Sequence, residues 1–232
     1  MDAKTPGLSA NKLLAGLPRD DFKLLQGHLT IAPLAQGTAL FDVDDEIEQV
    51  TFPLSGMVSL LVVMKNGNAI ETATVGREGV VGGMAGLGLH RSLVRAVVQL
   101  PGVFAHISSA QFRKAAAASK PIVDLCIRYN EVLLAQARIT AACNISHEVE
   151  ARFCRWLLQS RDRAESDTVH LTQEFLAEML GVRRTSVTEV AIKMQGQGVI
   201  HYTRGVIQIT NLPRLKELSC ECYKTLRNET PH

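Results

Sequence analysis

Residues 171–209 read LTQEFLAEMLGVRRTSVTEVAIKMQGQGVIHYTRGVIQI. Two short helical patterns meet at Gly181, and an alternating segment follows. Thr172 suits an N-cap, and Glu174 falls in the first turn, where negative charge favours the helix dipole. Leu176, Ala177 and Leu180 make the apolar stripe of the first helix. Gly181 can take the left-handed backbone that ends it. In the second helix Val187, Val190, Ala191 and Met194 fall at i, i+3, i+4, i+7 and face the protein. Arg183 and Arg184 stand at its N-terminal end, with Thr185, Ser186, Thr188 and Glu189 on its sides and outer face. Gly196 and Gly198 break it. Val199–Thr203 and Val206–Thr210 then read as two strands turning at Arg204-Gly205. This pattern predicts a winged helix-turn-helix whose second helix enters a DNA major groove.

The 232 residues are enough to bury a real core and suggest one or two domains. A net charge of +2 does not by itself announce nucleic acid. The local distribution says a little more: Arg183, Arg184, Lys193 and Arg204 stand against Glu189 alone between residues 179 and 208, a modest but well-placed surplus. The five cysteines are irregularly spaced, which argues against a disulfide scaffold and fits a reducing cytoplasm. No secretory leader or membrane-spanning run is expected.

Upstream, residues 1–7 read as a loose terminus, and 8–29 as two short helices split at Pro18. Short apolar runs then alternate with turn signals up to Ser108. The expected strands are 30–34, 38–41, 48–52, 56–64, 69–75, 93–99 and 102–107, a barrel or sandwich-like roll. A helix at 109–117 closes it. Pro121 opens a long helix to about Ile145, spanning about 37 Å at 1.5 Å per residue. Its stripe of Ile122, Leu125, Cys126, Tyr129, Val132, Leu133, Gln136, Ile139, Thr140 and Cys143 repeats like a coiled-coil seam. The alternatives are a helix buried inside one subunit and one that pairs two copies; residues 121–145 are expected to pair two copies, because a DNA reader of this type usually needs two half-sites. Gln136 and Thr140 would then set register or touch a ligand. His147–Ser160 forms a further helix with Trp156 in its core, Arg161–Asp167 a charged linker, and 215–226 a last helix. The expected fold class is α+β. Its parts are an N-terminal β-roll domain (1–118), a long dimerisation helix (119–146) and a C-terminal winged helix-turn-helix (147–232).

This order resembles the Crp/Fnr family of bacterial transcription regulators over about residues 20–223. GVRRTSVTEV (181–190) and GVIHYTRGVIQI (198–209) carry most of the resemblance, and GREGVVG (76–82) with Arg91-Ser92 is similar to the phosphate cassette of its cyclic-nucleotide-binding-like β-roll. The resemblance implies a homodimer on a palindromic double-stranded DNA operator, and admits RNA polymerase as a further partner. It assigns base reading to Arg184, Thr185, Thr188 and Glu189. Backbone contacts fall to Arg183, Ser186, Lys193 and Arg204. Members reading the familiar Crp- and Fnr-type sites carry Glu in place of Thr185 and Arg in place of Glu189, so a different half-site is expected. The rival expectation is a ligand-binding module that signals through protein contacts and whose DNA domain is degenerate.

The resemblance also implies a candidate effector pocket at Gly82, Gly83, Arg91 and Ser92, to which Gln136 and Thr140 of the long helix are added; for Arg91 a surface or turn role is the equal alternative. Gly83 stands where the ribose-binding glutamate belongs. The segment from Gly82 to Arg91 is about two residues short, and Ala137-Arg138 replace the adenine-contacting hydroxyl pair. These departures weigh against cyclic AMP, and no cofactor is expected. No cysteine cluster near the N-terminus suggests an iron–sulfur centre. His28, His90 and His106 are read as structural rather than haem ligands. Cys220-Glu221-Cys222, lacking a second cysteine pair nearby in sequence, is read as helix packing, with no metal site. No hydrolase elbow, Walker loop, zinc-protease helix or dinucleotide fingerprint appears, so no enzyme activity is expected.

Overall fold

Pro18 divides the N-terminal helices as its chemistry dictates: α1 (Lys12–Ala15) ends before it and α2 (Arg19–Gln26) starts after it. The computed structural model describes residues 6–88 and 91–229. His90 and residues 1–5 of the expected loose terminus lie outside the described residues. Two compact units emerge. One holds the chain up to Leu61 with Ala73–Leu134, and the other holds Val62–Thr72 with Ala135–Glu229.

The alternating stretches become strands β1 (Thr30–Leu34), β2 (Ala39–Phe41), β3 (Gln49–Pro53), β4 (Met57–Val63), β5 (Ala69–Val75), β6 (Arg95–Leu100) and β7 (Gly102–Ser108), all in the first unit except the end of β4 from Val62 and the start of β5 up to Thr72. They form two sheets, ordered β1-β7-β3 and β2-β6-β4-β5. Strand β7 is antiparallel to both its neighbours, pairing His106 with Thr30 on one side and Thr51 on the other. Phe52, Phe104 and Ile107 fill the interior, and Phe52 meets Phe112 with ring centroids 6.1 Å apart. Each such side chain contributes roughly 1.5–3 kcal/mol by leaving water. Phe112 belongs to α3 (Ser109–Ala118), whose first turn is capped by the Ser108 hydroxyl. His106 is buried against Thr51, and His28 is exposed.

Helix α4 (Lys120–Ser146) runs as one piece. Its expected seam is already used by its own chain. Ile122, Leu125, Cys126 and Tyr129 are buried, with Val132 and Leu133 packed against the first unit's core. Gln136, Thr140 and Cys143 are buried too. The outward face is a neighbouring one: Ile127, Leu134 and Ile145 are 48%, 37% and 90% exposed, with Glu131, Arg138 and Ala141 between them. Sequence periodicity finds the apolar stripe but does not tell whether the chain or a second copy covers it.

In the second unit, α5 (Val149–Ala164) buries Phe153, Trp156, Leu157 and Leu158. It runs through much of the charged stretch expected as a linker, and Arg161 closes that stretch by pairing with Asp167 at 2.6 Å. A short strand β8 (Thr168–His170), not foreseen, follows. It is hard to see in sequence because only Val169 of its three residues is buried. Helices α6 (Gln173–Leu180) and α7 (Arg184–Gly196) come next, then β9 (Ile200–Thr203) and β10 (Val206–Ile209). Strand order is β8-β10-β9. The last expected helix is two, α8 (Leu212–Leu218) and α9 (Cys222–Glu229), parted at Ser219–Glu221. No helix among the described residues is long and apolar enough to cross a membrane.

Candidate nucleic-acid interface

Thr172 caps α6, its hydroxyl accepting from the Phe175 N–H at 3.2 Å. Gly181 ends that helix at φ +62°, where its N–H reaches back to the carbonyls of Ala177 and Glu178. A Cβ added there would lie 3.3 Å from Ile70, in the tip of the β4–β5 hairpin. Arg152 of α5 is buried and donates to the Leu180 carbonyl, satisfying a backbone acceptor at the turn. The turn is thus fixed from two sides.

Helix α7 leaves that turn with Val187, Ala191 and Met194 buried and Val190 half-buried, as the spacing predicts. Arg183, Arg184, Thr185 and Glu189 are exposed, and Ser186 is half-buried. Thr188 is half-buried as well. Its hydroxyl lies 3.0 Å from both Gln173 Oε1 and the Arg184 carbonyl, so its proton joins the two helices. One residue on this face escaped the sequence reading. Ile192 is 68% exposed, seven residues after Thr185 and four after Thr188. Its spacing could have placed it on the outer row, but an apolar side chain is ordinarily assigned inward.

Strands β9 and β10 pair Thr203 with Val206 and turn at Arg204 (φ +40°) and Gly205 (φ +82°), the tight turn that their sequence predicts. The exposed Arg204 stands at the wing tip. Lys193 differs: its ammonium pairs with Glu150 of α5 at 2.5 Å, so a phosphate would compete with that carboxylate.

In the first unit a cavity of about 220 Å³ lies beside the expected cassette. Gly82, Gly83, Arg91 and Ser92 line it with mainly apolar neighbours, including Phe41, Ile47, Val80 and Leu133. Gln136 and Thr140 are not among its lining residues. Arg91 donates to the Asp44 carbonyl at 3.0 Å. The Ser92 hydroxyl donates to the Val94 carbonyl at 2.6 Å and accepts from the Val94 N–H. At Gly83 an added Cβ would meet Val80 at 3.1 Å and Cys126 at 3.3 Å, so even the first atom of a side chain presses on its neighbours.

The reading of Cys220 and Cys222 as mere helix packing, made because no second cysteine pair is near in sequence, misses what the fold brings to them. Cys143 and His147, distant in sequence, lie beside them at the end of α4. All five cysteine thiols are free.

Two family models match the chain: a cyclic nucleotide-binding domain over residues 32–119 and a Crp-like helix-turn-helix domain over residues 151–218. No curated protein sequence matches. Among solved structures the chain is similar to FixK2 from Bradyrhizobium japonicum, at 17% identity over 83% of this chain and 98% of that one (TM-score 0.69). It is similar to the c-di-GMP-responsive global regulator CLP of Xanthomonas campestris at 16% identity, over 83% and 99% of the two chains (TM-score 0.68). A third likeness is to TTHA1359, a CRP/FNR-family regulator of Thermus thermophilus, at 20% identity over 82% and 98% (TM-score 0.68). These identities speak to the fold. A cyclic nucleotide-binding domain followed by a Crp-like helix-turn-helix domain is the order of the Crp/Fnr family of transcription regulators, to which the chain belongs.

Proposed function

We propose that the chain acts as a homodimer on a palindromic operator that is neither the Crp- nor the Fnr-type site, with one α7 in each major-groove half-site. The observation that carries this is the exposed row of Arg184, Thr185, Glu189 and Ile192, held over the buried Val187, Ala191 and Met194. Arg184 suits the O6 and N7 acceptors of guanine, Glu189 the amino group of cytosine, and Ile192 the methyl of thymine. Arg183, Ser186 and Arg204 suit phosphate, which positions without specifying. Thr188 acts by holding α7 to α6 through Gln173. The outward Ile127, Leu134 and Ile145 of α4 support pairing of two copies, which would set the α7 helices about 34 Å apart. The operator places this work in the cytoplasm, within reach of RNA polymerase.

Control by something other than cyclic AMP is part of the same reading. Gly83 offers no carboxylate for a ribose and a side chain there would press on Val80 and Cys126, the Ser92 hydroxyl is engaged with the Val94 backbone, and Arg91 donates to the Asp44 carbonyl. The apolar cavity suits a small, weakly polar effector better than a phosphodiester.

A salt-titrated anisotropy measurement with the full chain tests the reading. Specific binding should weaken steeply with salt yet exceed non-specific binding by roughly 10³-fold or more. Arg184→Ala should bring the two together. Equal affinity for all duplexes in the unaltered chain would favour a module that signals through protein contacts.

A further inference from the structure

We propose that Cys143, His147, Cys220 and Cys222 bind one zinc-class divalent ion through three thiolates and His147 Nδ1, and that this ion fastens the α8–α9 link to the end of α4. Cys143 and His147 stand four residues apart, one helical turn, where α4 ends. Cys220 lies in the link, and Cys222 opens α9. The four ligand atoms lie within 4.8 Å of one another. Cys143 Sγ is 3.6 Å from Cys220 Sγ, and Cys222 Sγ is 3.8 Å from His147 Nδ1. A tetrahedral zinc with sulfur ligands at about 2.3 Å holds them about 3.8 Å apart, so a single ion fits with little movement. A two-iron cluster would need its ligand pairs set wider. A disulfide would draw two sulfurs to about 2.05 Å and leave Cys222 and His147 unexplained.

Three further features favour a metal over chance packing. His147 Nε2 donates to the Glu221 carboxylate at 3.1 Å. That bond fixes the tautomer that leaves Nδ1 free to ligate, the usual outer-shell arrangement of a metal-bound histidine. All three cysteines are buried, with Ile139 and Ala151 packed on them, and His147 is half-buried; four protein ligands leave no open position, which suits a structural ion. Arg155 is buried at 4% exposure, its Nε has no hydrogen-bond partner, and its charge acts on all three thiols. A buried guanidinium calls for a compensating anion, and three thiolates around a divalent ion carry one net negative charge. The inference is independent of the operator or effector.

The test is titration of the reduced full chain with Zn²⁺ in competition with a chromophoric chelator, and with Co²⁺ read by visible absorbance. One ion per chain is expected, with the sulfur-to-cobalt charge transfer and d–d bands of a tetrahedral thiolate site. Cys220→Ser and His147→Ala should abolish that spectrum. Glu221→Gln leaves all four ligands in place, so its effect is read on an intact site; affinity should fall about 10- to 100-fold. Removing the ion should raise hydrogen exchange across 219–229 while leaving the first unit unchanged. Less than about 0.1 ion per chain, an octahedral cobalt spectrum, or undiminished affinity in Cys220→Ser or Glu221→Gln would overturn the proposal.

Discussion

The indole Nε1 of Trp156 donates a 2.8 Å hydrogen bond to Oε1 of Glu71, and both side chains are buried. Glu71 belongs to β5, and the adjacent Ile70 lies against Gly181 at the helix-turn-helix turn. The segment 62–72 is therefore built into the same unit as the helix-turn-helix. Removing the indole donor strips a buried carboxylate of this partner, which costs about 1–3 kcal/mol. Trp156→Phe should accordingly raise hydrogen exchange in 62–72, whereas Glu71→Gln, which keeps a carbonyl oxygen for the indole, should do less. Unchanged exchange in Trp156→Phe would show that the hairpin is held by other contacts.

Arg152 should matter for the helix-turn-helix although it is buried and belongs to α5. Arg152→Met keeps the length of the side chain but abandons the Leu180 carbonyl. A hydrogen bond from a charged group contributes roughly 1.5–3 kcal/mol. Thermal unfolding followed on the second unit should show that loss, with operator affinity reduced and sequence preference kept. Wild-type stability in this variant would remove Arg152 from the support of the turn.

Among the cations near the interface, Arg204 and Lys193 should separate. Arg204→Ala is expected to weaken all duplexes alike and to reduce the slope of log affinity against log salt by about 1. Lys193 is paired with Glu150, so Lys193→Ala should change that slope less. Equal slopes for the two variants would mean that DNA displaces Glu150.

How far these features can be read in the sequence follows from the range of the interactions behind them. The turn at Gly181, the inward stripe of α7 and the Arg204-Gly205 hairpin depend on neighbours within a few residues, and their pattern is local. The outer seam of α4 is not: Leu125 and Leu134 look alike in a helical pattern, and only the fold shows that one is covered and the other open. Cys143 and Cys220 are separated by 77 residues, so their 3.6 Å approach leaves no trace in spacing. Likewise the sequence shows Lys193 as a phosphate candidate but not Glu150 of α5, with which a phosphate would compete for it.

Stability of the β-roll should depend on pH through His106. Burial holds its imidazole below the ordinary value of about 6.5, Nδ1 is engaged with Thr51 Oγ1 at 2.9 Å, and Nε2 has no partner. Below pH 6.5 the unfolded chain takes up a proton that the folded chain resists. The stability is therefore full above that pH and is lost as pH falls toward the folded value. In urea unfolding of the roll, the advantage of the native chain over His106→Asn should shrink between pH 7.5 and 5.5. A constant gap would mean that His106 does not titrate differently on folding.

Specificity is tested most directly by selection of binding sites from random duplex DNA with the full-length chain. An inverted repeat is expected, with half-sites about one helical turn apart and a half-site distinct from the Crp and Fnr types. Arg184→Ala and Ile192→Ala should each relax one position of it. Enrichment of a Crp- or Fnr-type site would contradict the distinct half-site, and enrichment of no sequence at all would contradict base reading by the exposed row of α7.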